Sequence, residues 1–304
     1  MNLLIETDHL SKVYGTKTAI NNCTLSLPKK RVIGLVGPNG AGKTTLLNLF
    51  TGLISPSSGS VCVLGFDPVR DSIDLLPKIG FVSQDRPLFP SFTVSEMLKF
   101  GKTFNPFFDG AYALSYLEQL NIPTDKKVRE LSGGMKAQIS IILAISKHPG
   151  LLIMDEPFSS LDPIARNQLL KLVSRVTTED ESSVLISSHD IGELEKICDT
   201  LVLVNLGRVL LCGDIEELLM IHKWVDLSPE KAEIASKSMS IISVEKARRV
   251  HRLLVRFNRL DEYFQLHEQG EEANLDELIL AYLTLSQHEV ESLNAKLSMR
   301  EVIP

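Results

Sequence analysis

The segment from Gly37 to Thr44 combines residue types suited to binding a chain of phosphates. It reads Gly-Pro-Asn-Gly-Ala-Gly-Lys-Thr and fits the pattern G-x-x-x-x-G-K-[ST]. Glycines at this spacing let successive backbone N–H groups converge on phosphate oxygens, while the following helix directs its positive end toward them. Lys43 is expected to bridge the β- and γ-phosphates, and the Thr44 hydroxyl to bind Mg²⁺. The alternative is a glycine turn that merely joins a strand to a helix.

Two carboxylates follow an apolar run farther along the chain. Leu151 to Met154 predicts a buried strand, and Asp155 and Glu156 come directly after it. Asp155 is suited to hold the Mg²⁺ shell, and Glu156 to orient and deprotonate an attacking water. An Asp-Glu pair after a strand is usually only a solvated loop. Together with the glycine loop upstream, the pair predicts a site of phosphoryl transfer.

A second glycine segment, Leu131-Ser132-Gly133-Gly134-Met135, precedes the apolar helical stretch from Ile139 to Ile145. A serine and two glycines at a helix start can form another phosphate cradle, with the Ser132 hydroxyl and the Gly134 N–H as donors. One nucleotide needs only one such loop. The second cradle is therefore explained most simply if it faces a nucleotide held by another copy of the chain.

The elements that must position these residues follow an α/β pattern. Three short apolar runs predict parallel strands buried on both faces, and their polar ends are expected to share one edge of the sheet: Arg31 to Val36, Leu151 to Met154 and Ser183 to Ser187. Between Gln84 and Leu131 the pattern predicts a helical insertion. After about Asp214 a small α+β region is predicted, with a strand at Leu253 to Phe257 and a helix from Asn274 to about Leu285.

Length, charge and hydropathy exclude several function classes. The 304 residues carry a net charge of −6, which gives no electrostatic reason to expect nucleic acid as a partner. The longest apolar runs fall far short of the roughly 20 residues that span a bilayer. The N-terminus lacks the basic start and cleavage site of a signal peptide, so we expect the chain to remain in the cytoplasm.

Residues 1 to about 215 resemble the nucleotide-binding subunit of ATP-binding cassette (ABC) transporters, because six features occur in that family's order. The matching motifs are the Walker A loop (Gly37 to Thr45), the Q-loop (Gln84), the family signature (Leu131 to Gly134), the Walker B pair (Asp155 and Glu156), the D-loop (Ser160-Leu161-Asp162) and the switch histidine (His189). Met135 departs from the family, since many members carry glutamine there. The phosphate contacts come from Ser132 and the backbone, so we expect the site to remain active.

The resemblance implies ATP as substrate, Mg²⁺ as cofactor and a role for each matching residue. Lys43, Gln84, Glu156 and His189 would act in hydrolysis, with His189 at the γ-phosphate. Thr44, Gln84 and Asp155 would hold the metal. The residues implied to contact the nucleotide are Tyr14 (stacked on adenine), Gly37, Pro38, Asn39, Gly40, Ala41, Gly42, Lys43, Thr44, Thr45, Ser132, Gly133, Gly134 and Asp162.

The resemblance also implies an architecture and partners. We expect a P-loop NTPase core of the ABC type at 1–215, with a helical subdomain at about 85–148, and an accessory region at 216–304. A homodimer is favoured over a heterodimer, bound at the inner face of the membrane through a separate permease. The stretches Ser132 to Lys136, Asp155 to Pro163 and Leu275 to Tyr282 look similar to ATPases of drug- and antimicrobial-peptide-resistance exporters.

An ABC-type ATPase that is not tied to transport is the alternative function. Chromosome and repair ATPases insert a long coiled coil before the signature, and translation factors carry two cassettes; this chain has neither feature. An iron–sulfur assembly ATPase stays open. A binding module that cannot hydrolyse ATP would lack Glu156 or His189, and both are present.

Half of the 12 phenylalanines fall within one 20-residue stretch shortly after Gln84. We expect Phe92, Phe100 and Phe104 to pack in the core of the insertion. Phe107 and Phe108 lie between the Asn105-Pro106 break and the Asp109 cap, so we expect both at the surface, where a permease helix would dock.

Overall fold

A computed structural model describes residues 3–159, 161–179, 181–257 and 270–285 of the chain. The chain divides into two compact units, Met1–Val209 and Leu210–Pro304. The strands are β1 (Leu3–Tyr14), β2 (Lys17–Pro28), β3 (Val32–Val36), β4 (Ser58–Val63), β5 (Ile79–Val82), β6 (Leu151–Asp155), β7 (Ser183–Ser188), β8 (Thr200–Asn205), β9 (Arg208–Asp214), β10 (His222–Leu227), β11 (Ser240–Lys246), β12 (His251–Arg256) and β13 (Glu271–Glu272).

The helices differ widely in length, from one turn to nearly five turns. They are α1 (Lys43–Phe50), α2 (Ser72–Leu75), α3 (Val94–Phe104), α4 (Gly110–Gln119), α5 (Gly133–Ile145), α6 (Pro163–Glu179), α7 (Ile191–Leu194), α8 (Ile215–Met220), α9 (Pro229–Ser238) and α10 (Leu275–Thr284). No helix in the described ranges combines the length and apolar character that a membrane crossing requires.

The first unit contains five strands of a six-stranded sheet in the order β5-β6-β7-β3-β8-β9, and β9 begins there. The pairings β5–β6, β6–β7, β3–β7 and β3–β8 are parallel. Strands β3, β6 and β7 are buried at every position, which explains their nearly continuous apolar sequences. Val36 lies opposite Ser188, and Asp155 opposite Ser187, so the three strands end at one edge of the sheet, as predicted.

A three-stranded antiparallel sheet in the order β2-β1-β4 packs into the same core as α1 and the parallel sheet. Leu46, Leu47 and Phe50 of α1 are among its fully buried side chains. This packing fixes the helix that follows the glycine loop.

The predicted helical insertion is formed by α3, α4 and α5. The side chains of Thr93 and Glu96 make a reciprocal capping box at the start of α3, and Asp109 caps α4. Ser132 caps α5 by accepting a hydrogen bond from the Met135 N–H. The helix starts at Asp109 and Ser132 agree with the sequence prediction.

The second unit holds a four-stranded antiparallel sheet in the order β11-β12-β10-β13 together with α8, α9 and α10. Val225, Leu253 and Val255 lie at the centre of its core with residues of α9. The predicted strand near Leu253 and the helix after Asn274 are both present, and Asn274 forms a capping box with Glu277. An α+β region was therefore correctly predicted.

Candidate active site

The glycine loop joins β3 to α1 through backbone conformations that favour glycine. Gly40 and Gly42 have φ of 80° and 112°, in the left-handed region. A Cβ at Gly42 would lie 2.8 Å from the Ala19 carbonyl oxygen, whereas one at Gly40 would meet no atom within 4 Å. The loop therefore approaches β2 at one end and leaves open space at the other.

The start of α1 is suited to binding an anion. Its N-cap residue is Gly42, which supplies no side-chain hydrogen bond, and its first turn holds no acidic residue. Helices α3, α4 and α5 are instead capped by Thr93, Asp109 and Ser132. The first N–H groups of α1 thus have no capping oxygen from the Gly42 position, and the helix dipole adds positive potential there.

Lys43 turns back over the glycine loop from the first position of α1. Its Nζ donates hydrogen bonds to the carbonyl oxygens of Gly37 and Pro38, at 2.7 and 3.4 Å. The same Nζ lies 3.4 Å from Oε1 of Glu156. The Lys43 side chain is only 7% exposed, so its charge is focused on the loop and on this carboxylate.

Asp155 and Glu156 are both buried at the end of β6. Asp155 accepts a hydrogen bond from the Ser187 hydroxyl, and the Glu156 N–H donates to the same hydroxyl at 2.9 Å. Glu156 has φ of 49°, in the left-handed region where non-glycine residues are uncommon. Such backbone conformations concentrate at functional sites, where the surrounding structure holds them.

His189 follows β7 and meets the Glu156 carboxylate. Its Nδ1 lies 2.8 Å from Glu156 Oε2, while its side chain is 57% exposed. One carboxylate therefore lies between two basic groups, the Lys43 ammonium and the His189 imidazole. This arrangement can bind a negatively charged phosphate chain and hold a base beside it.

A cavity of about 360 Å³ contains most of the residues predicted from the glycine loop and the carboxylate motif. It is lined by Lys17, Ala19, Asn39, Gly40, Ala41, Gly42, Lys43, Thr44, Thr45, Gln84, Glu156 and His189. Lys17 and Ala19 of β2 were missed, because nothing in their spacing distinguishes them from other strand residues. Tyr14 does not line this cavity; it is half-exposed and pairs with Lys17 across the turn of the β1–β2 hairpin.

The remaining predicted residues lie elsewhere in the described part of the chain. Ser132 and Gly133 are exposed at the start of α5, and neither lines the cavity of their own chain. Asp162 caps α6, accepting hydrogen bonds at 2.9 Å from the N–H groups of Ile164 and Ala165. Asp155 borders a larger, neighbouring cavity, and Thr44 borders both.

The larger cavity, about 860 Å³, is a groove that reaches from the Q-loop to the helical insertion. Phe89, Phe100 and Phe104 line it, and their rings form a cluster with that of Phe92, with contacting centroids 4.5–6.2 Å apart. Two basic residues of this groove, Arg86 and Lys147, have a pKa lowered by burial.

Two expectations about the phenylalanines are wrong. Phe108 is buried, because its ring packs against Gly101 of α3. Phe104, expected in the core, is 73% exposed at the last turn of α3, and Phe100 is also partly exposed. Phe107 is exposed as expected. The missing side chain of Gly101 is what opens the space that Phe108 fills.

The parallel sheet, the glycine loop and the paired carboxylates define a nucleotide-binding protein of the P-loop class. The family profile described as ABC transporter matches residues 20–159. A second profile, described as AAA domain, putative AbiEii toxin, Type IV TA system, matches residues 124–195.

Similar proteins were found among both curated sequences and solved structures. The chain is 34% identical to the uncharacterized ABC transporter ATP-binding protein YcbN of Bacillus subtilis (strain 168), covering 69% of each chain. It is 34% identical to the linearmycin resistance ATP-binding protein LnrL of the same organism, covering 71% of this chain and 70% of that protein. It is 30% identical to the bacitracin transport ATP-binding protein BcrA of Enterococcus faecalis, covering 78% of each.

Among solved structures, a dimeric bacterial ABC transporter cassette is similar with a TM-score of 0.63 and 25% identity, covering 69% of this chain and 98% of the cassette. The chain therefore belongs to the family of ABC transporter ATP-binding proteins. The predicted ABC ATPase fold and the predicted ATP-binding and ATP-hydrolysing function are confirmed by these matches.

Proposed function

We propose that this chain hydrolyses ATP with the residues around the 360 Å³ cavity and thereby drives a separate transmembrane permease. One observation supports the proposal most strongly: Lys43, Glu156 and His189 meet within hydrogen-bonding or ion-pair distance beside an uncapped helix start. The cation and the N–H groups of the loop would bind the phosphates. Glu156 would orient and deprotonate the attacking water, and His189 would hold the Glu156 carboxylate and contact the γ-phosphate.

The residues near the loop also fit Mg²⁺. Thr44, Gln84 and Asp155 offer a hydroxyl, an amide and a buried carboxylate, which are the oxygen donors this cation prefers. Bound Mg²⁺ would neutralise charge on the β- and γ-phosphates. Ser187 orients the Asp155 carboxylate through its hydroxyl, and so would support such a site.

A second copy of the chain is proposed to complete each nucleotide site. Ser132 and Gly133 begin a 13-residue helix at an exposed position outside their own chain's cavity. Ser132 caps only the Met135 N–H of this helix, and the N–H groups of the first turn that remain can bind phosphate. Asp162 would then couple the two sites across the dimer. The similar solved cassette is itself dimeric, which supports a homodimer.

Mixing two defective chains tests this dimer. Lys43→Ala removes the phosphate cation, and Ser132→Arg blocks the second cradle. We expect each variant alone to be inactive. A mixture should recover activity, because about a quarter of its sites combine two intact halves when chains pair at random and equally. Strictly additive activity in the mixture would contradict the arrangement.

The 860 Å³ groove is proposed as the docking site of a permease helix. It is lined mainly by apolar and aromatic side chains, among them Phe89, Phe100 and Phe104. It also reaches Thr44 and Asp155, which border the nucleotide region. An amphipathic helix can bury its apolar face in such a groove. The ATPase would then lie at the inner face of the membrane through this partner.

Surface phenylalanines provide the test of docking. Phe104→Ser combined with Phe107→Ser should leave the basal ATPase activity of the isolated subunit nearly unchanged, because both side chains are exposed. Co-purification with the proposed permease partner should weaken. Ile234→Ser, at an exposed position of the second unit, is the control and should change neither. Normal co-purification of the double variant with the permease would contradict docking at this groove.

Names of the similar proteins favour export. One confers linearmycin resistance and another transports bacitracin, according to their descriptions. We therefore propose that the permease exports a drug or antimicrobial peptide. These descriptions also favour a transporter over an iron–sulfur assembly ATPase.

A further inference from the structure

Arg86 lies two residues after Gln84, in a sharply turned segment. Its φ is 44°, in the left-handed region, and the neighbouring backbone is held by hydrogen bonds from Arg86 N–H to the Ser83 oxygen and from Leu88 N–H to the Arg86 oxygen. A bulky residue in this conformation is strained. Arg86 is partly buried, lines the 860 Å³ groove and reaches the Pro157 carbonyl oxygen.

The guanidinium of Arg86 binds the loop that follows Glu156. Its Nη2 donates to the carbonyl oxygens of Pro157 and Ser159, at 2.7 and 3.2 Å. The same loop is also held by the Ser159 hydroxyl, which donates a hydrogen bond to the backbone carbonyl oxygen of Glu156 at 2.8 Å. Arg86 thus holds both sides of the turn that fixes Glu156 in its left-handed conformation.

Partly burying the charged guanidinium of Arg86 costs free energy. That cost is explained if the position of the loop after Glu156 is important. Burial lowers the pKa of Arg86, because the charged guanidinium is partly removed from water. Among the described residues it forms no ion pair with a carboxylate, so its interactions are with backbone carbonyls alone. A charged donor makes stronger hydrogen bonds to carbonyls than a neutral one.

We propose that Arg86 is a positioning residue for ATP hydrolysis. It fixes the loop from Pro157 to Ser159, and through it the Glu156 carboxylate, without touching the nucleotide. Because Arg86 also lines the groove, it joins the docking surface to the hydrolytic carboxylate. This inference rests on the proposed function of the cavity.

The test compares Arg86→Ala and Arg86→Lys with wild type and with Arg70→Ala. Arg70 is an exposed arginine whose ion pair within the described residues is with Asp67, so its removal controls for the loss of one positive charge. We expect Arg86→Ala to lower kcat by about 10- to 100-fold through the displaced base. Nucleotide affinity, measured with a fluorescent ATP analogue, should stay within about twofold of wild type, since Arg86 does not line the nucleotide cavity.

Chemical rescue separates positioning from folding. Guanidinium ion at concentrations that leave the wild-type fold intact should partly restore kcat of Arg86→Ala, because the open groove admits it to the same carbonyls. It should not change Arg70→Ala. Arg86→Lys keeps a cation but has a single nitrogen, so its kcat should lie between those of wild type and Arg86→Ala. It is the variant to use if Arg86→Ala does not fold.

The outcomes distinguish this inference from the proposed function. If wild type hydrolyses ATP and Arg86→Ala matches its kcat, Arg86 has no positioning role. A variant that loses kcat and nucleotide affinity together, without rescue, also contradicts it. If wild type itself does not hydrolyse ATP, the proposed function fails first.

Discussion

Among the described residues, each unit of the chain buries one lysine near a strand or helix start, and the two are stabilised differently. Lys43 in the first unit faces a cavity, with two carbonyls and the Glu156 carboxylate around its ammonium. Lys223 on β10 of the second unit is 4% exposed and pairs at 3.1 Å with Glu272, its neighbour on β13. Lys223 pairs with a residue of the neighbouring strand in its sheet, whereas Lys43 also lines the 360 Å³ cavity.

The histidines show the same contrast. His189 contacts Glu156 through one nitrogen and is half-exposed beside the cavity. His222 is fully buried: its Nδ1–H donates to the Leu218 oxygen at 2.6 Å, and its Nε2 accepts from the Tyr282 hydroxyl at 2.9 Å. A buried polar side chain whose hydrogen-bonding atoms all have partners contributes to the stability of the fold. One that is left facing a cavity is available for binding and chemistry.

Replacing the two lysines should give the largest difference between the units. Lys43→Ala removes a charged donor from the phosphate site, so we expect nucleotide affinity to fall by about 100-fold. Lys223→Ala should leave affinity unchanged, because its ammonium serves a sheet edge. Titration of both variants with a fluorescent ATP analogue measures this. Equal losses of nucleotide affinity in Lys43→Ala and Lys223→Ala would contradict the different roles assigned to the two lysines.

His222 should make the second unit sensitive to acid. Burial lowers its pKa to about 4, against 6.5 for the free side chain. Between these values the unfolded chain binds a proton that the folded chain does not. His222 therefore has no effect on the free energy of unfolding above pH 6.5. It lowers that free energy by about 3 kcal/mol as the pH drops toward 4.

The single tryptophan provides the measurement for this unit. Trp224 is buried on β10, where its Nε1–H donates to Glu277, so its fluorescence reports unfolding of the second unit. His222→Leu should flatten the pH dependence of the urea midpoint, whereas Tyr282→Phe keeps the imidazole and should preserve it. An unchanged pH dependence in His222→Leu would assign the effect to other groups.

Motif order was sufficient to predict the fold class and, apart from Lys17 and Ala19, the residues that line the 360 Å³ cavity. The glycine loop and the Asp155-Glu156 pair each follow a buried strand, and parallel strands bring their ends together. The division of the chain near residue 215 and the roles of the individual site residues stay predictions.

Other features could not be predicted from local sequence. Phe108 is buried only because Gly101, seven residues earlier, leaves space on α3. Arg86 reaches carbonyls more than 70 residues away, and no spacing rule connects them. Lys17 enters the cavity through the pairing of β1 with β2. Each case depends on a tertiary contact.

The most direct measurement of the central claim is single-turnover hydrolysis by Glu156→Gln. The substitution keeps the shape of the side chain and removes the base between Lys43 and His189. We predict ATP binding close to that of wild type and a hydrolysis rate at least about 100-fold lower, as expected for loss of a general base. Hydrolysis of ATP by purified Glu156→Gln at the wild-type rate would contradict the claim.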